Sequence, residues 1–314
     1  MSLDAENVTQ PGSGLVFHNS YGAGVTEAYR AAIVTAENEL QSHFTNSVTV
    51  EMHFDMRALG PGFSAQNTYQ QVAATYADLV TALTTHATTA SDRQAVASLP
   101  QSDPTHGVGF WIPSAEARVL GLSAEAKAVD DTVVLNSDQP HDFGKDTVAT
   151  LQHEITEGVF GRVSSLGIAQ VGWQPMDLFR FSADGARDFT GGADGRATFF
   201  GVDGAHLSAM QFHNAVNAFG VSDGGDLADW TTSADLGGPG GPGIAGDLSS
   251  TDLQVLDVLG WTPAAAPIAT AAPVAPFTPG APFTPGAPVA IAEAHDVAPM
   301  AQATPWFWGG WIDL

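Results

Sequence analysis

The chain has no cysteine. Disulfides, thiolate zinc sites, iron–sulfur ligation and cysteine nucleophiles are therefore excluded. Positive charge is scarce as well: 10 Lys+Arg stand against 34 Asp+Glu, a formal net charge of -24. A surface of that sign repels phosphate backbones, so no nucleic-acid partner is expected, and an anionic membrane is an equally poor one. No apolar run reaches the length that spans a bilayer, so no membrane insertion is expected. The first residues, MSLDAENVTQ, lack both a basic segment and an apolar core. A classical N-terminal signal peptide is thus not expected. Also missing are a Gly-x-Gly-x-x-Gly turn after a strand, a Walker loop and a Gly-x-Ser-x-Gly elbow. The glycine-rich stretch 237–243 has no lysine with which to cradle a phosphate.

What is present suffices for a folded unit. The 314 residues are 44% hydrophobic, enough to bury a core without covalent staples. Apolar residues at helical spacing (Ala28, Ala31, Ile33, Ala36, Leu40 and Phe44) predict a helix over 24–44. The alternating, β-branched segment 47–55 predicts a strand. Residues 68–86 read as a second helix, 107–112 as a short strand, 114–120 as a short helix and 131–136 as a strand. A helix over 146–159 follows, with Asp146 as its N-cap and Val148, Leu151, Ile155 and Val159 as its buried stripe. Glycine and aspartate dominate 177–248, with a helix expected at about 206–218 and turns elsewhere. A last helix over 251–259 is capped by Ser250 or Thr251. This order predicts an α+β (mixed α/β) domain.

The expected organisation is a disordered segment 1–14, a folded domain 15–261, an Ala/Pro-rich linker 262–304 and an aromatic tail 305–314. Prolines as dense as those of the linker forbid a helix or a central strand. Three of the seven tryptophans lie in the tail. Such an end either packs back on the domain or serves as an uncleaved address for secretion machinery.

Chemistry concentrates at His153-Glu154-Ile155-Thr156-Glu157. His153 and Glu157 stand four apart on the expected helix and share a face, so together they offer one imidazole and one carboxylate to a divalent metal. Glu154 is placed to act as general base toward a metal-held water. This is the arrangement of the H-E-x-x-H zinc peptidases with the second histidine replaced. The plainer alternative is a histidine bonded to a backbone carbonyl and two solvated glutamates. Asp184, Asp188, Asp194, Asp203, Asp223, Asp226 and Asp229 offer the oxygen ligands that structural calcium takes. Simple turns with solvated carboxylates are the alternative there, since no EF-hand or nonapeptide spacing occurs.

The segment HEITEGVFGR (153–162), together with DLFRFS (177–182), DGAR (184–187), Asn214, GDLADW (225–230) and DVLGW (257–261), resembles a family of bacterial extracellular metalloproteases distantly similar to the metzincin zinc peptidases. The resemblance covers about residues 15–261. It implies a metzincin-like metallopeptidase domain, secreted, that hydrolyses a polypeptide substrate with Zn2+ or another divalent transition metal. Carried over, His153 is the first metal ligand, Glu154 the base that activates water, and Glu157 stands where the family has its second histidine. Asp177 is then the third ligand, with His206 and His213 as alternatives. Arg162, Arg180 or a tyrosine would assist the carbonyl oxygen. Two other readings fit the same residues: a metal hydrolase for a non-peptide bond, and an inactive, calcium-stabilised extracellular binding or structural protein on the same fold.

Overall fold

Alternation of inward apolar and outward polar residues builds the central sheet. In β2 (Leu15–Tyr21) every second residue, Leu15, Phe17, Asn19 and Tyr21, is buried. In β3 (Val48–Arg57) Val50, Met52 and Phe54 repeat that pattern. A computed structural model of the chain describes residues 4–61, 63–166, 172–217, 219–221, 225–231 and 248–264. The linker from residue 265 onward and the aromatic tail lie outside the described residues.

In chain order the elements are β1 (Glu6–Thr9), β2, α1 (Glu27–His43), β3, β4 (Ala65–Tyr69), β5 (Gln71–Ala74), α2 (Tyr76–His86), α3 (Ala90–Ser98), β6 (Phe110–Pro113), α4 (Ser114–Val119) and β7 (Asp131–Asn136). They continue with α5 (Lys145–Gly158), a short 3-10 helix (Pro175–Phe179), β8 (Arg180–Ser182), β9 (Thr198–Asp203), β10 (His206–Gln211) and α6 (Ser250–Val258). The main sheet has the order β1-β2-β3-β7-β4. β2, β3 and β7 run parallel, while β1 and β4 are antiparallel to their neighbours. α1 makes the crossover that parallel β2 and β3 require. α5 follows β7 and packs on α1, β4 and β7. β8, β9 and β10 form a smaller antiparallel sheet, and β5 pairs with β6. The architecture is α+β with a mixed sheet.

Three expectations change. Residues 6–9, expected to be disordered, form β1, because they find a full partner in β2 and bury Val8. The helix expected over 68–86 begins only at Tyr76, where the Thr75 hydroxyl accepts from Asp78 N at 3.2 Å as the N-cap. The residues before it are taken by strand pairing, Thr68 and Tyr69 in β4 and 71–74 in β5. The helix expected at 206–218 is instead β10, the return strand of a hairpin. Its turn is held by Asp203, whose Oδ1 accepts from Ala205 N and His206 N, both at 2.8 Å. In the last two cases cross-strand pairing outweighs a short helical pattern. Helix starts also move by a residue or two: Gly144 stands at the N-cap of α5, and Ser249 caps α6 in a box closed by Asp252.

An aromatic cluster fixes the end of α5. The Phe160 and Trp261 rings lie 4.1 Å apart by centroid, and Phe44 lies 5.4 Å from Phe160. Trp261 Nε1 donates to Phe160 O at 3.1 Å. The segments after α1, α5 and α6 thus meet at one buried point, which holds α5 in place from its C-terminal side.

Candidate metal centre

The i,i+4 face expected on α5 is there, but it is not on the surface. Every residue from Leu151 to Gly158 is buried. Leu151 and Ile155 enter the core, while His153 and Glu157 turn beneath the 225–231 segment. Their separation, His153 Nε2 to Glu157 Oε1, is 3.2 Å.

The third corner is Asp229. Its Oδ1 lies 3.9 Å from His153 Nε2. One ligand atom each from His153, Glu157 and Asp229 lie within 4.8 Å of one another, and all three residues are buried. Among the described residues this is the only such group. The segment that delivers Asp229 is pinned to the end of β10. His213 N donates to Asp229 O at 2.9 Å, and Thr231 N donates to Gln211 O at 2.8 Å. Arg180 Nη1 donates to Leu227 O at 2.7 Å. Trp230 stacks on Phe212 at 4.5 Å. Neither sequence periodicity nor a motif announces this placement.

The other expected ligands stand elsewhere. Asp177 closes the N-terminus of the 3-10 helix: it accepts from Gln174 N at 2.9 Å and from Ser164 Oγ at 2.6 Å. It is not part of the ligand group; its role is to satisfy helix-end donors. His206 is exposed and pairs with Asp203 at 2.8 Å. His213 lies against Gly225. Of the described aspartates considered for calcium, only Asp229 joins a group of three ligand atoms. Asp184, Asp188, Asp194 and Asp203 accept hydrogen bonds from their own turns. Asp223 lies outside the described residues.

The geometry of the helix end explains the Gly-Arg that follows it. Gly161 N donates to Glu157 O at 3.3 Å and Arg162 N to Thr156 O at 3.0 Å. The bond from Gly161 N is that of an αL C-cap, with Gly161 in the left-handed conformation at φ 85. The chain doubles back, and Arg162 is carried to the ligand side of the helix. Its Nη1 lies 3.6 Å from Asp229 Oδ1.

Burial sets the electrostatics. It pushes the His153 imidazole below its ordinary range, against the opposing pull of Asp229. At neutral pH the ring is therefore neutral, the state that ligates metal. Burial raises the Glu154 carboxyl well above its usual range, and Glu157 and Asp131 add to the shift. Glu157 is pushed up to about 7 by burial, against Arg162, and Asp226 to about 6 by burial and by Glu157. Burial also lifts Asp229 well above the ordinary range. Glu154 is anchored through its backbone, since Asn67 Nδ2 donates to Glu154 O at 2.8 Å. Its Oε1 has no hydrogen-bond partner among the described residues. From β4, Tyr69 is pushed well up by burial and then by Glu157 and Asp226, so its phenol remains an O–H donor.

Buried carboxylates without matching cations are costly unless protonated or bound to metal. A neutral imidazole and two carboxylates converging from separate elements fit a divalent cation in chemistry and in reach. Comparison with protein families, with curated proteins and with solved structures finds no match to this chain.

Proposed function

We propose that the chain is a metal-dependent hydrolase of the peptidase kind, with His153, Glu157 and Asp229 as the ligands of one divalent cation and Glu154 as general base. The observation that carries this is the convergence of those three ligand atoms within 4.8 Å, beside a glutamate with an unpartnered carboxyl oxygen. Zinc is the cation the sequence resemblance points to. Two carboxylates in place of a second and third imidazole also suit manganese. Three protein ligands leave a position open, which is the pattern of catalytic rather than structural sites.

A cation held there would supply Lewis acidity toward a scissile carbonyl and an attacking water. The chain's own groups do the rest. With the cation in place to favour its ionised form, Glu154 would take a proton from the water through Oε1 and return it to the leaving amine. The Tyr69 phenol, on the side of β4 that faces α5, is a donor for the carbonyl oxygen as charge builds on it.

The test is cleavage of a mixed peptide library, read by mass spectrometry, with full-length protein. Cleavage should stop with chelator. Glu154→Gln should lower turnover by about 10²–10⁴-fold while leaving the metal content unchanged. One observation favours a second reading, a closed structural ion site: His153, Glu157 and Asp229 are only 4%, 8% and 3% exposed. Metal-loaded wild type that cleaves no peptide would establish that reading instead.

A further inference from the structure

Arg162 is completely buried. Its guanidinium lies between two carboxylates, with Nη1 3.6 Å from Asp229 Oδ1 and Nε 3.6 Å from Asp252 Oδ1. Asp252 is itself immobilised. Its Oδ1 accepts from Trp230 Nε1 at 2.8 Å, and its Oδ2 accepts from Ser249 N at 2.9 Å and Ser249 Oγ at 2.8 Å. The bond from Ser249 N, with Asp252 N donating to Ser249 Oγ at 3.2 Å, closes the N-terminal box of α6. The guanidinium carbon also sits 5.4 Å from the Trp230 ring centroid, within cation–π reach. Trp230 is the residue next to Asp229. The first turn of α6 therefore fixes Asp252, Asp252 holds Trp230 by a hydrogen bond and stands at ion-pair distance from Arg162, and these two flank Asp229.

Resting on the proposed cation site, we infer that Arg162 is a positioning residue for it: anchored to α6 through Asp252 and Trp230, it holds the Asp229 carboxylate facing His153 and Glu157. Groups that orient a ligand govern metal affinity strongly. Here the orienting group carries positive charge, and that gives the inference a sign. A guanidinium that acted only as a nearby charge would repel a dication, so its removal would tighten binding. A guanidinium that positions Asp229 must weaken binding when it is lost. A role confined to folding would leave the affinity of the folded protein unchanged.

The experiment is titration of the full-length, metal-stripped protein with Zn2+ and Mn2+. Co2+ serves as a spectroscopic probe of ligand number. Arg162→Met is expected to lower affinity by about 10–100-fold and to change the Co2+ visible spectrum, with partial recovery in Arg162→Lys. Because a buried arginine is risky to remove, Asp252→Asn is measured in parallel. It keeps the shape and, with its amide oxygen toward Ser249, the acceptor there, but it removes both the charge that anchors Arg162 and the acceptor for Trp230 Nε1, so it should weaken binding in the same direction. Equal or tighter binding in the folded variants, with an unaltered Co2+ spectrum, overturns the inference and leaves the cation site standing. Wild type that binds none of the three ions overturns the site and the inference together.

Discussion

Gly161→Ala is expected to destabilise the protein by roughly 2–5 kcal/mol, the sum of left-handed backbone strain and overpacking. Gly161 has φ 85, a conformation in which a Cβ meets the following carbonyl. The space is also taken: a Cβ there would fall well inside contact distance of Glu116 Oε2, on α4. Both costs fall on the turn that closes α5 and redirects Arg162. The substitution should therefore lower the urea midpoint and, in whatever folded fraction remains, weaken dication binding. A midpoint matching that of wild type would mean that the reversal after α5 is not built as described.

Glu116→Gln is expected to gain stability relative to wild type as pH rises. Glu116 is fully buried, and neither carboxyl oxygen has a hydrogen-bond partner among the described residues. Burial alone pushes the group well above the ordinary carboxylate range. The folded protein therefore keeps this proton at a pH where the unfolded chain, with an ordinary value of about 4.3, has released it. Unfolding then releases a proton, so the stability due to this group is complete below the unfolded value and declines as pH rises above it. The slope is up to about 1.4 kcal/mol per pH unit. An amide of the same shape has no proton to lose. Its unpartnered N–H donors cost stability at every pH, so the variant should be the poorer protein in acid and the better one in base. Denaturation curves from pH 5 to 8 measure this directly; parallel profiles would show that Glu116 is not an isolated buried acid.

The sequence is most legible where a pattern repeats. β7 matches its expected span of 131–136, and β3 and α1 shift by only a few residues. Regular alternation and helical spacing record burial directly, so these elements can be read without tertiary information. The 68–86 region misled because Tyr69 and Val72 fit a helical stripe, although the strands beside them claim their backbone. At the site, His153, Glu154 and Glu157 are legible because four-residue spacing on a helix is itself geometry. Asp229 is not legible that way. It comes 72 residues after Glu157 (229 minus 157), in a loop whose position depends on backbone bonds to 211–213 and on Trp230 packing. Its signals are its place among the aspartates suited to calcium and in the GDLADW segment (225–230), within a run of Gly and Asp otherwise suited to solvent. Asp177 stands in the DLFRFS segment on which the resemblance rests, yet its oxygens accept from Gln174 N and Ser164 Oγ at the start of the 3-10 helix. The burial of Leu151–Gly158 on α5 is equally hidden, since a helix with polar residues on one face normally shows that face to water.

The most direct test is element-specific mass spectrometry on full-length protein purified without chelator, beside His153→Ala and Asp229→Ala. One divalent ion per chain in wild type, lost in both variants, is the expected result. Loss on His153→Ala but full retention in Asp229→Ala would remove Asp229 from the site. No ion in wild type, before or after careful addition of zinc and manganese, would contradict the metal centre itself.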